Sequence, residues 1–448
     1  MHAELRLTDA QYSALRAHLL PDEEEHAAIL VCGTAGDTTL ACRRVMPLSG
    51  EDLESSGQLH LHISPLTLAR LAKQAAREAA TLVICHSHPF PGVVRPSSID
   101  LTTEEELCGR VLPGRLSGRA VGSLILGPDG FSGRLWRDGA AEELGLTIGG
   151  RHVNVSGVPA EMDEREDRQM LLWGAAGQQL LRDARIVVVG AGGTGSHIVS
   201  QLAHLGVGHL VLVDHDVVEP SNLSRVVGAT PDTVGSSKVH VLKASASRIR
   251  PAMTVDAVTA SLLDIDAARL GQFDAIVCCT DGHGSRALLT ELAAQYLIPL
   301  IDLGIEVQPG HDGSRAGGGV RVIRPGDPCL HCMAILDPAL VREEFLSDDE
   351  RSIEVARGYL RGLQEPAPAV IALNGVVASL AVVELLDLIV GVFRPSPARL
   401  LYRAEARALT VTGAKRDAAC WVCGEAGLLG LGDARQLPRR RQPRIDSA

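Results

Sequence analysis

The sequence predicts an α/β protein built of two units, and three observations carry that prediction. Short, nearly all-apolar runs alternate with helical patterns from about residue 160 to 425, as a doubly wound, mostly parallel sheet covered by helices requires. A glycine-rich turn, Gly190-Ala-Gly-Gly-Thr-Gly195, stands between one such run and a helical pattern. A stretch rich in Gly, Val and Ser, residues 149–159, separates this region from an N-terminal one of mixed pattern.

Residues 1–148 form the first expected unit. Its β-rich runs at 27–32, 81–85 and 120–126 alternate with helical patterns such as 66–80. In the second unit, 160–425, the runs 186–189, 210–213 and 275–279 are apolar enough to be central strands. Residues 426–448 carry Pro438-Arg-Arg-Arg441 and read as a basic, mobile tail. The chain has 448 residues, 46% of them hydrophobic, enough for two or three sizeable cores. Only 3% are aromatic, so Leu, Val, Ile and Ala must fill those cores. A net charge of -11 argues against a nucleic-acid binder, which needs cations to neutralise phosphates.

Met1-His-Ala-Glu-Leu-Arg places charges where a secretory leader would be apolar. The longest apolar run, 376–390, is broken by Glu384 and Asp387 and reads as too short and too charged for a membrane span. A cytoplasmic protein is expected. Its ten cysteines are then more suited to metal than to a disulfide framework.

His86 and His88 flank one residue, so on a strand both imidazoles point to the same face. Asp100 follows a proline-rich loop and can supply a third ligand. Two histidines and a carboxylate leave one open position on a tetrahedral zinc, the arrangement of a catalytic site. Hydrolysis also needs a base, for which Glu25 at the head of an apolar run is the candidate, and Ser97 can donate to an oxyanion. His60 and His62 have the same spacing without these companions. The whole pattern, His86-x-His88-Pro89 followed by Ser97-x-x-Asp100 with a distant upstream Glu, resembles the JAMM (MPN or JAB) metalloprotease family. That resemblance implies a JAMM-type α/β unit that cuts the amide after the C-terminal glycine of ubiquitin-like proteins.

Glycines 190, 192, 193 and 195 let backbone N–H groups approach a phosphate at a helix N-terminus. Alone they suit NAD as well as ATP. Asp214 follows at the next strand end, where it can hold ribose hydroxyls. Asp216, Asn222, Arg225 and Lys238 come next, then Asp281 after a further strand. An arginine and a lysine aimed at phosphates favour a triphosphate, and Asp281 can hold magnesium. These residues resemble the ThiF/MoeB type of ubiquitin-like-protein activating enzyme. The resemblance implies a Rossmann-like unit with Asp214 on ribose, Asn222, Arg225 and Lys238 on phosphates, and Asp281 on magnesium. Arg165-Glu-Asp-Arg168-Gln169 resembles the family helix whose second arginine reaches a partner subunit's ATP, so Arg168 implies a homodimer. The substrate implied is the C-terminal carboxylate of a small β-grasp protein.

Cys329-x-x-Cys332 and Cys420-x-x-Cys423 can close a structural zinc site, and the same two units occur in the ThiF/MoeB type. No cysteine lies between Cys332 and Cys420, so the crossover loop 337–368 has no thioester nucleophile. Ser347 or Ser352 could form an oxyester, although both also read as plain loop residues. The expectation is a bifunctional enzyme that cleaves and adenylates one ubiquitin-like tail, with a conjugating enzyme as a possible further partner. The alternative is activation of a sulfur carrier for thiocarboxylate chemistry. A degenerate carrier-binding scaffold is a third reading.

Overall fold

The computed structural model describes residues 3–56, 61–153, 163–308, 314–357, 368–393 and 399–440. His60 and part of the crossover loop therefore lie outside the described residues. The chain divides into two units. One holds Met1–Ser156, Ala294–Leu297 and Leu428–Gln436; the other holds Gly157–Ala293, Ile298–Gly427 and Leu437–Ala448.

In the first unit the elements run β1 (Ala3–Leu7), α1 (Asp9–Leu19), β2 (Ala27–Ala35), β3 (Thr39–Leu48), β4 (Leu53–Ser56), β5 (Leu61–Ile63), α2 (Pro65–Arg77) and β6 (Thr81–Ser87). They continue with α3 (Ser98–Glu106), a π-helical turn, α4 (Leu112–Arg115), β7 (Val121–Leu126), β8 (Phe131–Arg137), β9 (Ala140–Ile148) and β10 (Arg151–Val153). The main sheet has the order β1-β3-β2-β6-β7-β8-β9-β10, and β1 also pairs with β9, so it closes into a barrel. The expectation of a JAMM-type α/β unit did not state this closure, because the β1–β9 pairing joins residues far apart in the chain.

The strands read as continuous apolar runs because both faces are covered. Ala28, Leu30 and Cys32 of β2 face one core with Val83 and Cys85. Ala27, Ile29 and Val31 face another with Leu71, Ala72 and Ala75 of α2. The period of two divides each strand between two cores.

Two expected boundaries change. Arg151–Val153, within the expected linker, pair with β9 as a strand, and residues 154–160 lie outside the described residues. Leu428–Gln436, read as tail, belongs to the barrel unit. Gly33 N–H donates to the Gly430 carbonyl at 3.1 Å, and a Cβ at Gly33 would lie 2.4 Å from the Leu431 backbone. Tyr296 Oη donates to Asp433 at 2.8 Å. Further on, Arg439 and Arg440 pair with Asp266 and Asp264 of the second unit, so the described part of the basic segment is neutralised.

The second unit contains α5 (Asp167–Asp183), kinked at Gly174, then β11 (Arg185–Val189), α6 (Gly193–Leu205), β12 (His209–Val213), α7 (Lys238–Ile249), β13 (Thr254–Val258) and β14 (Ala275–Cys278). After these come α8 (His283–Tyr296), β15 (Leu300–Gln308), β16 (Arg315–Ile323), α9 (Pro338–Glu344), α10 (Asp348–Ala356), α11 (Ile371–Val390), β17 (Arg399–Arg403) and β18 (Ala408–Thr412). The sheet order is β13-β12-β11-β14-β15-β16-β17-β18. The first five strands are parallel and the last three are added antiparallel. Strand order reverses between β11 and β14, which opens a crevice at the carboxyl ends of those strands.

The helix α11 is longer than the run 376–390 read from sequence. By length and composition it reaches what a membrane span requires. In this fold its Val377, Ala378, Ala381 and Leu385 are buried in the core formed with α6 and the sheet. Burial and the charge of Asp387 push the Glu384 carboxyl on this helix up to about 7. A carboxyl raised above its ordinary 4.5 contributes full stability below that value and loses it as pH climbs through about 7. The melting temperature of Glu384→Gln relative to the native chain should therefore rise between pH 5 and pH 8. A flat difference across that range would contradict the assignment.

Candidate functional site

The turn after β11 is built by the absence of side chains. Gly190 has a φ of 97°, and a Cβ there would lie 2.7 Å from the Cys279 carbonyl. A Cβ at Gly195 would lie 1.9 Å from the Gly190 carbonyl oxygen. Gly193 abuts the side-chain amide of Asn374, 2.1 Å from where its Cβ would stand. At Gly192 a Cβ would meet nothing within 4 Å. That position is open space in front of the α6 N-terminus, the place a phosphate group would occupy.

Asp214 closes the turn from the end of β12. Its carboxylate accepts the Ala191 N–H at 2.6 Å and the Asp216 N–H at 2.8 Å. Lys238, first residue of α7, donates from Nζ to Asp216 at 2.7 Å and from its backbone N–H to the Asp216 carbonyl at 3.0 Å. Gly190, Gly192, Gly193, Asp214, Asp216, Arg225, Lys238 and Asp281 all line one cavity of about 1420 Å³.

Three expected residues stand elsewhere. Gly195 is buried beneath the turn. Asn222 is 3% exposed; it accepts the Glu219 N–H at 3.2 Å and donates to Ser221. It shapes the segment that carries Arg225 and does not line the cavity. Arg168 is exposed at the start of α5 and does not line the cavity of its own chain.

The structure adds residues that spacing did not reveal. Asn374, 4% exposed, lines the cavity from the first turn of α11. Its signal was a lone amide at the head of an apolar helix. Arg286, Asp302 and Arg321 form a linked group of charges that no sequence pattern marked. Glu344 of α9 accepts the N–H groups of His283 and Gly284 at 2.7 and 2.9 Å, capping α8 just after Asp281.

A model of the ThiF family matches residues 166–422. The chain belongs to the ThiF family. The match covers the crevice and leaves the barrel unit outside it. Molybdopterin-synthase adenylyltransferase of Escherichia coli is 30% identical over 276 residues, covering 59% of this chain and 100% of that protein. Adenylyltransferase and sulfurtransferase UBA4 of Eremothecium gossypii is 32% identical over 45% of this chain and 42% of its own length. A crystal structure of E. coli MccB with ATP aligns with 60% of this chain and 76% of its own, at 22% identity and a TM-score of 0.47.

Within the ThiF unit the four paired cysteines converge. Their Sγ atoms lie 4.0 Å apart for Cys329 and Cys332, 3.7 Å for Cys329 and Cys420, and 3.4 Å for Cys332 and Cys423. A tetrahedron with zinc–sulfur arms of about 2.3 Å has edges of about 3.8 Å, so the donor set fits zinc. The loop residue Ser347 is 8% exposed. It is the N-cap of α10, its hydroxyl accepting the Glu350 N–H at 3.3 Å and lying 3.0 Å from the Glu350 carboxylate. Ser352 is exposed on the same helix.

The barrel unit brings together a second donor set. His86 is the penultimate residue of β6 and His88 follows the strand, with the His88 N–H extending the ladder to Leu126 at 2.9 Å. Ser87 N–H donates to the His26 carbonyl at 3.0 Å, and His26 N–H donates to Ser87 Oγ at 2.9 Å. This reciprocal pair sets Glu25 beside the histidines, with Oε1 4.0 Å from His88 Nε2. Glu23 and Glu24 are exposed. Ser97 caps α3 in a box with Asp100, accepting its N–H at 3.1 Å and donating its own to Asp100 Oδ2 at 2.6 Å.

Asp100 Oδ1 and Oδ2 stand 3.3 Å from His86 Nε2 and His88 Nε2 respectively. Zinc arms of about 2.0–2.1 Å give tetrahedral edges of about 3.3–3.4 Å. The buried His86 Nε2 lacks hydrogen-bond geometry to any partner, as expected of a lone pair aimed at a shared centre. Burial opposes ionisation of Asp100, but both histidines and the Ser97 N–H hold its carboxyl well below the usual carboxylate range. The donor set fits zinc.

Cys332→Ser in the purified chain should lower its zinc content by about one equivalent and its melting temperature by several degrees. Elemental analysis and calorimetry measure both; unchanged zinc content would reject the site.

Proposed function

We propose that the ThiF unit activates the C-terminal carboxylate of a small β-grasp carrier protein, of ubiquitin-like or sulfur-carrier type, by adenylation with ATP and magnesium. One observation carries the reading: the open position at Gly192, the cations Arg225 and Lys238, and the carboxylates Asp214 and Asp281 share a single cavity. Backbone N–H groups at the α6 N-terminus and the two cations balance phosphate charge. Asp214 sits where ribose hydroxyls can reach it, and Asp281 would hold magnesium. A carrier carboxylate oxygen attacks the α-phosphorus and pyrophosphate leaves.

The relatives above are named for adenylyl transfer, one of them with sulfur transfer as well, which favours the sulfur-carrier form of this proposal over conjugation. The capping role of Ser347 disfavours an oxyester at that residue, which leaves exposed Ser352 as the loop hydroxyl for one and an external nucleophile as the direct acceptor of the adenylate. Arg168 is exposed beside Leu171 and Leu172, which are 82% and 58% exposed. A second copy covering this face would bring Arg168 to its partner's nucleotide.

The barrel unit supports a second activity, cleavage at the carrier's C-terminal glycine. His86, His88 and Asp100 would hold the ion. Zinc, when bound, supplies Lewis acidity to a water and to the scissile carbonyl. Glu25 takes the water's proton and returns it to the leaving amine.

Pyrophosphate–ATP exchange with candidate carriers tests the first activity. Lys238→Met should lower kcat/KM by about a hundredfold or more; exchange at the native rate would refute the assigned role. For the second, Glu25→Gln should retain zinc yet lose about 10²-fold or more in cleavage of a carrier extended beyond its terminal glycine. Undiminished cleavage would exclude Glu25 as the base.

A further inference from the structure

Arg286 and Arg321 line the same cavity as the glycine turn, where they form a largely buried guanidinium pair. Asp302 of β15 is fully buried. Its Oδ1 accepts from Arg286 Nε at 3.0 Å and its Oδ2 from Arg321 Nη1 at 2.6 Å. Arg286 Nη2 also donates to the Leu303 carbonyl at 2.9 Å. Two cations against one anion leave a net positive charge on side chains only 11% and 13% exposed. Arginine cannot shed that charge by losing a proton, and an uncompensated charge at this depth is unfavourable. Arg321 Nε, moreover, is buried without a hydrogen-bond partner.

The backbone in front of the pair is bare. Gly304 and Gly319 are register partners in the β15–β16 ladder, and both line the cavity. A Cβ at Gly304 would lie 3.4 Å from Arg286 Nη2 and from Arg321 Nη1; one at Gly319 would lie 3.6 Å from Arg321 Nη2. Side chains at these positions would cover the guanidinium pair. The charge of Asp281 also reaches Arg286, so the pair is near the carboxylate proposed for magnesium.

We propose that Arg286 and Arg321, locked on Asp302 and left open at Gly304 and Gly319, receive the C-terminal carboxylate of the carrier before it attacks ATP. The inference rests on the adenylation reading and assigns the acyl half of that site. Guanidinium groups bind carboxylates through paired, charge-assisted hydrogen bonds, and the arriving anion neutralises the surplus charge. One carboxylate oxygen then forms a bond to the α-phosphorus. The bond from that phosphorus to the bridging oxygen breaks, and its electron pair leaves with pyrophosphate. No proton moves. The acyl group loses its charge in the product, which weakens its hold on the pair.

The same pair could instead serve an ATP phosphate, and one experiment separates the two. A fluorescein-labelled peptide ending in Gly-Gly, as free acid and as C-terminal amide, is titrated by polarisation into the full chain with magnesium and a non-hydrolysable ATP analogue. The free acid should bind the native chain about tenfold tighter than the amide. Arg321→Gln and Gly319→Ala should erase that preference while holding nucleotide affinity within about twofold. Equal binding of acid and amide to the native chain overturns the proposal. So does an Arg321→Gln chain that keeps the preference but loses nucleotide affinity, which would assign the pair to phosphate. Failure of the native chain to bind the nucleotide analogue refutes the adenylation reading itself, and the carboxylate site with it.

Discussion

A turn that tolerates no side chains governs the ThiF unit. With a Cβ at Gly195 pressed to 1.9 Å from the Gly190 carbonyl, β11 and α6 could not meet at their present angle. Asp214 then ties the turn to β12 by taking the Ala191 N–H, and Asp216 carries that order on to Lys238. The α6 N-terminus, Asp214 and Lys238 are thus held by one short chain of hydrogen bonds. Loosening the turn would disperse all three.

The buried ion pairs follow a common pattern. Glu166, fully buried, is held between Arg182 at 2.5 Å and Arg250 at 2.6 Å, which fixes the segment leading into α5 against α7. Asp302 binds two arginines in the same way. Removing one partner from either group would strand a buried charge. Glu344 instead spreads its charge over the N-terminus of α8, so the segment after Cys332 helps order the cavity edge that bears Asp281.

In the barrel unit, position is set by backbone exchange and charge by the donor set. The His26–Ser87 pair aligns the approach to β2 with the end of β6, which places Glu25 facing His88. The Ser97–Asp100 box turns the start of α3 so that Asp100 meets both imidazoles. Ser97 therefore orients Asp100, its Oγ accepting the Asp100 N–H while its backbone N–H donates to the carboxylate.

Local pattern determined much of this protein. The strands at 27–32, 81–85, 186–189, 210–213 and 275–279 were legible because apolar runs mark buried strands whichever core receives each face. The glycine turn and the paired cysteines were legible because their chemistry depends on residues close in sequence. The convergence of His86, His88 and Asp100 was legible because His-x-His at a strand end and a capped Asp after it need little long-range information. Tertiary structure alone decided the rest. Closure of the barrel depends on β1 meeting β9, and the return of Leu428–Gln436 on Gly33 meeting Leu431. The family resemblance put Asn222 on phosphate, whereas in the fold it is 3% exposed and caps the segment leading to Arg225. The arginine pair on Asp302 joins α8, β15 and β16, and no window of sequence contains all three. Periodicity reports which residues are buried; only the folded chain reports against what.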